Sequence, residues 1–320
     1  DSVDYASRGH CRVGEECSSL LGPNGAGKST LVKILMTVIR PTRCEGTVLG
    51  APVGHKATLG RVGYLPEHHR FSDYLTGKQV LDFYGALCNV PRRERKRRSG
   101  ELLDLVGMTA WADKRVKSYS KGMRQRIGVA QALMNDPDLV LLDEPTDGVD
   151  PVGRRDIRTI LQALKSHGKT VFLNSHLLSE LEMVCDRVAI LVQGEVSAQG
   201  TIDELTRGQQ RYEIEVVPEN GESAETVLRR TIPSLAPAST QRLITGEPMA
   251  IHGAQLRIGT SDPQRIQGVI DTLRAGGVTI RSVRQMRPSL EDLFMQAVTD
   301  PNTGEILAPG AAEPGRKGGR

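Results

Sequence analysis

Three observations in the amino-acid sequence predict an α/β domain with parallel strands, a helical subdomain inserted into it, and a small α+β domain behind it. From about Gly14 to Thr206, short all-apolar runs alternate with helical patterns, as strands covered on both faces by crossover helices require. Between about Phe71 and Asn135 the alternation gives way to helical sequence and the charged run Pro91 to Arg98. From about Arg211 the pattern changes to a period of two, then to a helical period. These shifts set the boundaries at 1–207, 208–299 and 300–320, the last rich in Pro, Gly and Ala and expected to be a disordered tail.

Composition agrees with this organisation and excludes several function classes. Hydrophobic residues are 38% and charged residues 25%, enough for a core. The net charge of +4, from 42 basic against 38 acidic side chains, creates no global field for nucleic acid. Aromatics at 3% leave few platforms on which bases stack. No run of about 18 apolar residues would span a bilayer, and no basic-then-apolar signal segment is read at the N-terminus. Cys11, Cys17, Cys44, Cys88 and Cys185 form no C-x-x-C pair and read as reduced thiols of a cytoplasmic protein.

Taken in chain order, Leu20-Leu21 ends a first strand and runs into Gly22-Pro23-Asn24-Gly25-Ala26-Gly27-Lys28-Ser29-Thr30, a full fit to G-x-x-x-x-G-K-[ST]. Glycines let successive N–H groups converge on phosphate oxygens. Lys28 is expected to reach the β- and γ-phosphates, and the Ser29 hydroxyl to ligate Mg²⁺. Leu31, Ile34, Leu35 and Val38 predict a helix behind the loop, whose N-terminus adds partial positive charge. Leu139 to Leu142 predicts a buried strand that delivers Asp143 and Glu144 at its C-terminal end, where α/β sheets bind ligands. Asp143 is expected to hold Mg²⁺ directly or through water, and Glu144 to polarise an attacking water. A glycine-rich turn and an acidic strand end each have plain structural readings; together they point to nucleotide hydrolysis. Thr170 to Leu173 predicts another strand, and Arg187 to Val192 with Glu195 to Ala198 a hairpin around Gln193-Gly194. In the second domain Tyr212 to Val217 reads as a strand. Pro263 opens a helix with Ile266, Val269, Ile270 and Leu273 on one face, and Gly276 closes it. Val278 to Val283 reads as a strand and Ser289 to Val298 as a last helix.

The segment Tyr119-Ser120-Lys121-Gly122-Met123, followed by Arg124-Gln125-Arg126, narrows the class. Alone it is a helix capped by a serine, with Met123, Ile127, Ala130 and Met134 on one face. Ser120 stands 23 residues before Asp143, and the segment resembles the signature sequence of ABC ATPases in the variant form common in exporters. Asp147-Gly148-Val149-Asp150 resembles the loop that communicates across the ABC dimer. His176, a residue type more often structural when alone, matches the switch histidine that follows a strand. Val62 to Glu67 resembles the Q-loop, with Glu67 where many members carry glutamine. The resemblance is dense from about Gly14 to Thr206. Arg211 to Val298 is similar to the accessory domain of drug- and polymer-export ATPases, most recognisably at Pro288 to Phe294.

The resemblance implies a P-loop NTPase fold of the ABC type and Mg²⁺-dependent ATP hydrolysis. It assigns catalysis to Glu144 and His176, and Mg²⁺ to Ser29, Glu67 and Asp143. Ser120, Lys121, Gly122 and Met123 would grip the ATP of the opposite subunit in a head-to-tail homodimer, or in a pairing with a related ATPase. It further implies a separate membrane permease, export rather than import, and a peripheral place on the cytoplasmic face. The family puts an adenine-stacking aromatic on an early strand. Tyr5, 23 residues before Lys28, is the candidate here, and Ala6 to Ser19 is poor in apolar residues for the paired strands that belong there. Two rival readings are an ABC-type ATPase acting on nucleic acid or the ribosome, and a regulatory subunit that grips ATP without turnover. The first usually carries two ATP domains or a long coiled-coil insertion, and this chain has neither; Glu144 and His176 stand against the second. The run Arg92 to Arg98, six basic residues and Glu94, reads as a solvated helix face beside two sharper options, nucleic acid and anionic lipid headgroups. His68 and His69 are expected to be surface histidines.

Overall fold

The computed structural model describes residues 17–206, 210–217, 223–232, 241–242 and 248–299. Tyr5, Cys11 and the expected tail lie outside them. The chain divides into two compact units, one of residues up to Ile202 with those from Phe294 onward, the other Asp203–Leu293.

The first unit runs β1 (Cys17–Leu21), α1 (Lys28–Leu35), β2 (Thr47–Val48), β3 (Ala51–Pro52), β4 (Val62–Leu65), α2 (Gly77–Leu87), α3 (Arg92–Leu105), α4 (Lys121–Ala132), β5 (Leu139–Asp143), α5 (Pro151–Ser166), β6 (Thr170–Asn174), α6 (Leu178–Val184), β7 (Arg187–Val192) and β8 (Glu195–Thr201), with α7 (Ile202–Thr206) following. Its main sheet has the order β4-β5-β6-β1-β7-β8. The first five strands are parallel, and β8 returns antiparallel on β7 as the expected hairpin. β1, β5 and β6 are buried along their whole length, which is why their sequences read as continuous apolar runs.

Register sets the geometry of the site. Leu20 of β1 pairs with Asn174 of β6, and Asn174 pairs with Asp143 of β5. The ends of the three central strands are therefore level, and the loops that follow them open on the same edge of the sheet. On the next strand Leu65 of β4 pairs with Leu142, so Glu67 follows at that edge too.

α1 is shorter than the Leu31 to Val38 stripe predicts. It stops at Leu35, Thr37 turns into the left-handed region at φ 57°, and Val38 is left 67% exposed. Val32 and Ile34 carry the deep burial, while Leu31 and Leu35 pack half-buried beside them. In the helical insert, Thr76 caps α2 in a reciprocal pair with Gln79. The basic run forms the first turns of α3, and three of its arginines are paired locally. Arg95 bonds Asp82, Arg97 pairs with Glu94 and Glu101, and Arg98 donates to the carbonyls of Leu133 and Met134 just past α4. Arg95 and Arg98, both largely covered, tie the insert's helices together, while Arg97 stays exposed. Among the described residues no helix is long and apolar enough to cross a membrane.

The second unit contains β9 (Arg211–Val217), α8 (Ala224–Thr231), β10 (Gln241–Arg242), β11 (Pro248–His252), β12 (Gln255–Ile258), α9 (Pro263–Ala275) and β13 (Thr279–Met286); α10 (Leu290–Val298) follows in sequence. The antiparallel sheet has the order β10-β11-β12-β9-β13, with β13 beside β9 rather than β12. Leaving out the two-residue β10, this is the split β-α-β-β-α-β arrangement. Ile214, Leu256 and Ile258 of the sheet pack against Leu228 of α8 and Leu273 of α9. Asp262 caps α9 with Pro263 at its first position, as the sequence predicts.

Gly63 lets α4 lie directly on β4: a Cβ there would stand 2.0 Å from the carbonyl oxygen of Ala132. Gly63→Ala forces that helix end away and is expected to cost about 1–3 kcal/mol, as overpacking does. Thermal denaturation should show a midpoint lowered by several degrees.

Candidate functional site

The loop between β1 and α1 is shaped by glycine. Gly25 and Gly27 take φ 81° and 105°, which only glycine adopts without strain, and the loop closes through Ala26 N–H on the Pro23 carbonyl at 3.1 Å. Gly22 is held by lack of space, since a Cβ would meet the Leu191 carbonyl at 2.3 Å. Lys28 opens α1, and its chain folds back so that Nζ donates to the carbonyls of Gly22 at 2.8 Å and Pro23 at 3.2 Å. Burial lowers its pKa, against the pull of Glu144, Asp143 and Glu67. A buried ammonium held by carbonyls of its own loop is poised to exchange them for anionic oxygens.

Asp143 ends β5 at 2% exposure and accepts a hydrogen bond from Asn174 Nδ2. Burial raises its pKa, and the Asn174 bond opposes that rise. Glu144 sits just past the strand with φ 52°, an uncommon backbone for a non-glycine residue. Its N–H bonds the Asn174 carbonyl at 2.8 Å. Its Oε2 lies 2.8 Å from His176 Nδ1 and 3.4 Å from the His176 N–H. Burial raises the Glu144 pKa too, with the His176 hydrogen bond counteracting it.

These elements enclose a cleft of about 410 Å³ lined by Asn24, Gly25, Gly27, Lys28, Ser29, Thr30, Glu67, Glu144, Asp147, Asn174 and His176. Nine of the predicted site residues thus converge on one cavity. Gly22 and Pro23 stand behind it, holding Lys28; Ala26 is fully buried, and Asp143 lies beneath Asn174. Ser120, Lys121, Gly122 and Met123 are not part of its wall. Ser120 is exposed and caps α4 by accepting the Met123 N–H at 3.2 Å, and Lys121 reaches Asp147 Oδ2 at 2.9 Å. That lysine holds the Asp147 carboxyl below its usual range.

Three residues escaped the sequence reading. Asn174 reads as the polar end of an apolar strand, and only register sets it against Asp143. Asp147 is recognisable as a loop residue but not as part of the cleft wall. Gln125, 4% exposed on α4, donates from Nε2 to the Glu144 carbonyl at 3.2 Å. One expectation is corrected: His69 is not a surface residue. It is half-buried against Phe71 and Gly128, and burial lowers its pKa, while His68 is exposed. Cys17 and Cys185, far apart in sequence, lie buried with their sulfurs 3.4 Å apart as free thiols.

The donor set suits a nucleotide with a divalent cation. Glycine-shaped backbone, a helix N-terminus and Lys28 together suit phosphate. Ser29 and the carboxylates of Glu67 and Asp143 are the hard oxygen donors that Mg²⁺ takes, and Asn174 Oδ1 is buried without a partner. Among the described residues no group of three His, Cys, Asp or Glu side chains is placed to hold a metal ion.

Comparison with known proteins agrees with this chemistry. The family described as ABC transporter matches residues 12–147. An uncharacterized ABC transporter ATP-binding protein of Synechocystis sp. is 42% identical over 287 residues, covering 89% of this chain and 75% of its own length. The Nod factor export ATP-binding protein I of Rhizobium sp. is 32% identical over 284 residues, covering 88% and 87%. Among solved structures, a dimeric ATP-binding cassette in a post-hydrolysis state with ADP and Pi is similar at a TM-score of 0.54 and 25% identity, covering 60% of this chain and 88% of that one.

Asn174→Ala would remove the donor of the buried Asp143. Leaving that carboxyl unsatisfied should cost about 1–3 kcal/mol of stability, read as a lower denaturation midpoint in urea.

Proposed function

The chain belongs to the ATP-binding subunits of ABC transporters, and on that premise we propose that its Mg²⁺-dependent ATP hydrolysis is carried by Lys28, Asp143, Glu144 and His176. The observation that carries this reading is the Glu144–His176 pair, 2.8 Å apart, in one cleft with the Lys28 loop. Lys28 leaves the Gly22 and Pro23 carbonyls for the β- and γ-phosphate oxygens, and the loop N–H groups cradle the same phosphates. Ser29, Asp143 and Glu67 would hold Mg²⁺, which neutralises charge on the phosphates when bound. Glu144 orients a water and takes its proton. His176, half-exposed at the rim, keeps Glu144 aimed and offers its ring to the γ-phosphate.

The signature residues Ser120, Lys121, Gly122 and Met123 lie outside their own chain's cleft, with Ser120 exposed at the N-terminus of α4. That position suits contact with nucleotide held by a second chain, in a head-to-tail pair of identical or related subunits. The dimeric state of the similar cassette with ADP and Pi supports the same arrangement. A separate membrane permease is the partner that hydrolysis drives, from its cytoplasmic face, and the likeness to a protein named for Nod factor export favours export. The 1–207 segment carries the ATP chemistry in this reading, and 208–299 is accessory.

Lys28→Ala should abolish nucleotide binding, because the buried phosphate site loses its fixed cation. Titration with a fluorescent ATP analogue measures it, and wild-type affinity would contradict the cradle. Glu144→Gln should bind ATP with little change while turnover falls roughly 10²–10⁴-fold, the usual loss when a general base is removed. Because ATP then persists in the site, light scattering should show a shift from monomer to dimer on adding ATP, reversed by Ser120→Arg.

A further inference from the structure

Gln125 serves none of the roles assigned so far. It lies on α4, away from the cleft wall, among the buried Ile127, Val129 and Ala130, and is itself 4% exposed. A buried primary amide in the middle of a helix has to be bonded, because leaving it dry is costly. Its Nε2 donates across to β5's end, to the main-chain carbonyl of Glu144 at 3.2 Å. That carbonyl also accepts the Asp147 N–H at 3.2 Å, so it is the hub of the turn that carries both Glu144 and Asp147 into the cleft.

The turn needs holding. Glu144 occupies the left-handed region at φ 52°, where a long side chain is disfavoured and persists only if the surroundings over-determine it. Four anchors do so. The Asn174 carbonyl takes the Glu144 N–H, His176 takes the carboxylate, and the carbonyl is shared by the Asp147 N–H and Gln125. The first two come from β6 and the residues just beyond it, and the Asp147 N–H belongs to the turn itself. Gln125 comes from α4, the helix whose N-terminus carries Ser120.

We propose that Gln125 is a positioning residue for hydrolysis, holding the Glu144 peptide in its left-handed conformation so that the carboxylate stays aimed at the water, and coupling α4 to that carboxylate. The proposal rests on Glu144 being the catalytic base. Without the Gln125 donor the carbonyl keeps the Asp147 N–H of its own turn but loses its tie to α4, so the strained peptide relaxes toward an ordinary backbone and moves the carboxylate off His176 while the Lys28 loop stays in place. The expected signature is a loss in kcat without a loss in nucleotide affinity.

Steady-state ATPase kinetics, ATP-analogue binding and thermal melts on the full chain test it with Gln125→Met, Glu144→Gln and the double variant. Methionine keeps the length and helix propensity of glutamine but has no N–H. Gln125→Met should melt cooperatively, bind ATP within about twofold of the parent, and lose about 10- to 100-fold in kcat, the scale of a misplaced catalytic group. The double variant should be no slower than Glu144→Gln alone, since Gln125 acts only through the carboxylate. Gln125→Leu, of similar size and with no donor, should repeat the kcat loss should the methionine variant misfold. Wild-type kcat in either folded variant, an equal further loss in the double variant, or failure of both variants to bind ATP or fold would overturn the proposal and leave Gln125 as framework. Wild-type turnover in Glu144→Gln would instead overturn the assignment of the base.

Discussion

Leu20, Asn174 and Asp143 stand side by side across the middle of the parallel sheet, and that alignment is what the cleft depends on. Each of the three strands ends in a different chemical device: a glycine loop with a lysine, a polar pair Asn174–His176, and two carboxylates. Hydrogen bonding between the strands makes their ends level, so the devices meet without any long-range search by side chains. A shift of register on β6 would separate Asn174 from Asp143 and His176 from Glu144, although every side chain would still be present.

The charges brought together in this way are only partly satisfied. Burial works against ionisation at Lys28, Asp143 and Glu144 alike, and the chain offsets it with Asn174 on Asp143, His176 on Glu144 and loop carbonyls on Lys28. Glu67, Asp143 and Glu144 all lie close enough to Lys28 to counter the effect of its burial, and their oxygens are the hard donors a divalent cation takes. Among the pairs of α3, those of the exposed Arg97 contribute little, while Arg95 and Arg98 are largely covered. Partly satisfied charge of the sort seen at the cleft is expected where binding energy has to drive a conformational change.

The helical insert reaches the cleft through α4. Gly63 lets that helix press on β4, Arg98 of α3 covers the carbonyls past its end, and Gln125 projects from it to the Glu144 carbonyl. Its N-terminus is exposed at Ser120, and Lys121 is tied to Asp147 of the cleft wall. A single helix thus links an exposed serine cap to the turn that bears the carboxylate.

Much of this was legible in the residues themselves. A glycine-rich turn with Lys28 and Ser29, a buried apolar strand that ends in Asp143-Glu144, and the amphipathic α9 with its Asp262-Pro263 start are local patterns, and local sterics and burial determine them. The reach of α1 was not, because Thr37 turns the chain before Val38 and no composition rule marks that turn. Nor were the partners of the buried polar groups. Asn174 finds Asp143, Gln125 finds the Glu144 carbonyl, His69 packs against Gly128, and Cys17 meets Cys185, all through segments apart in sequence. The sequence by itself determined which residues carry charge, which runs are strands and which loop can wrap a phosphate, because those follow from neighbours in the chain. Tertiary structure alone decided which buried donor meets which buried acceptor, because strand register and helix packing set those distances and neither is written in any local run of residues.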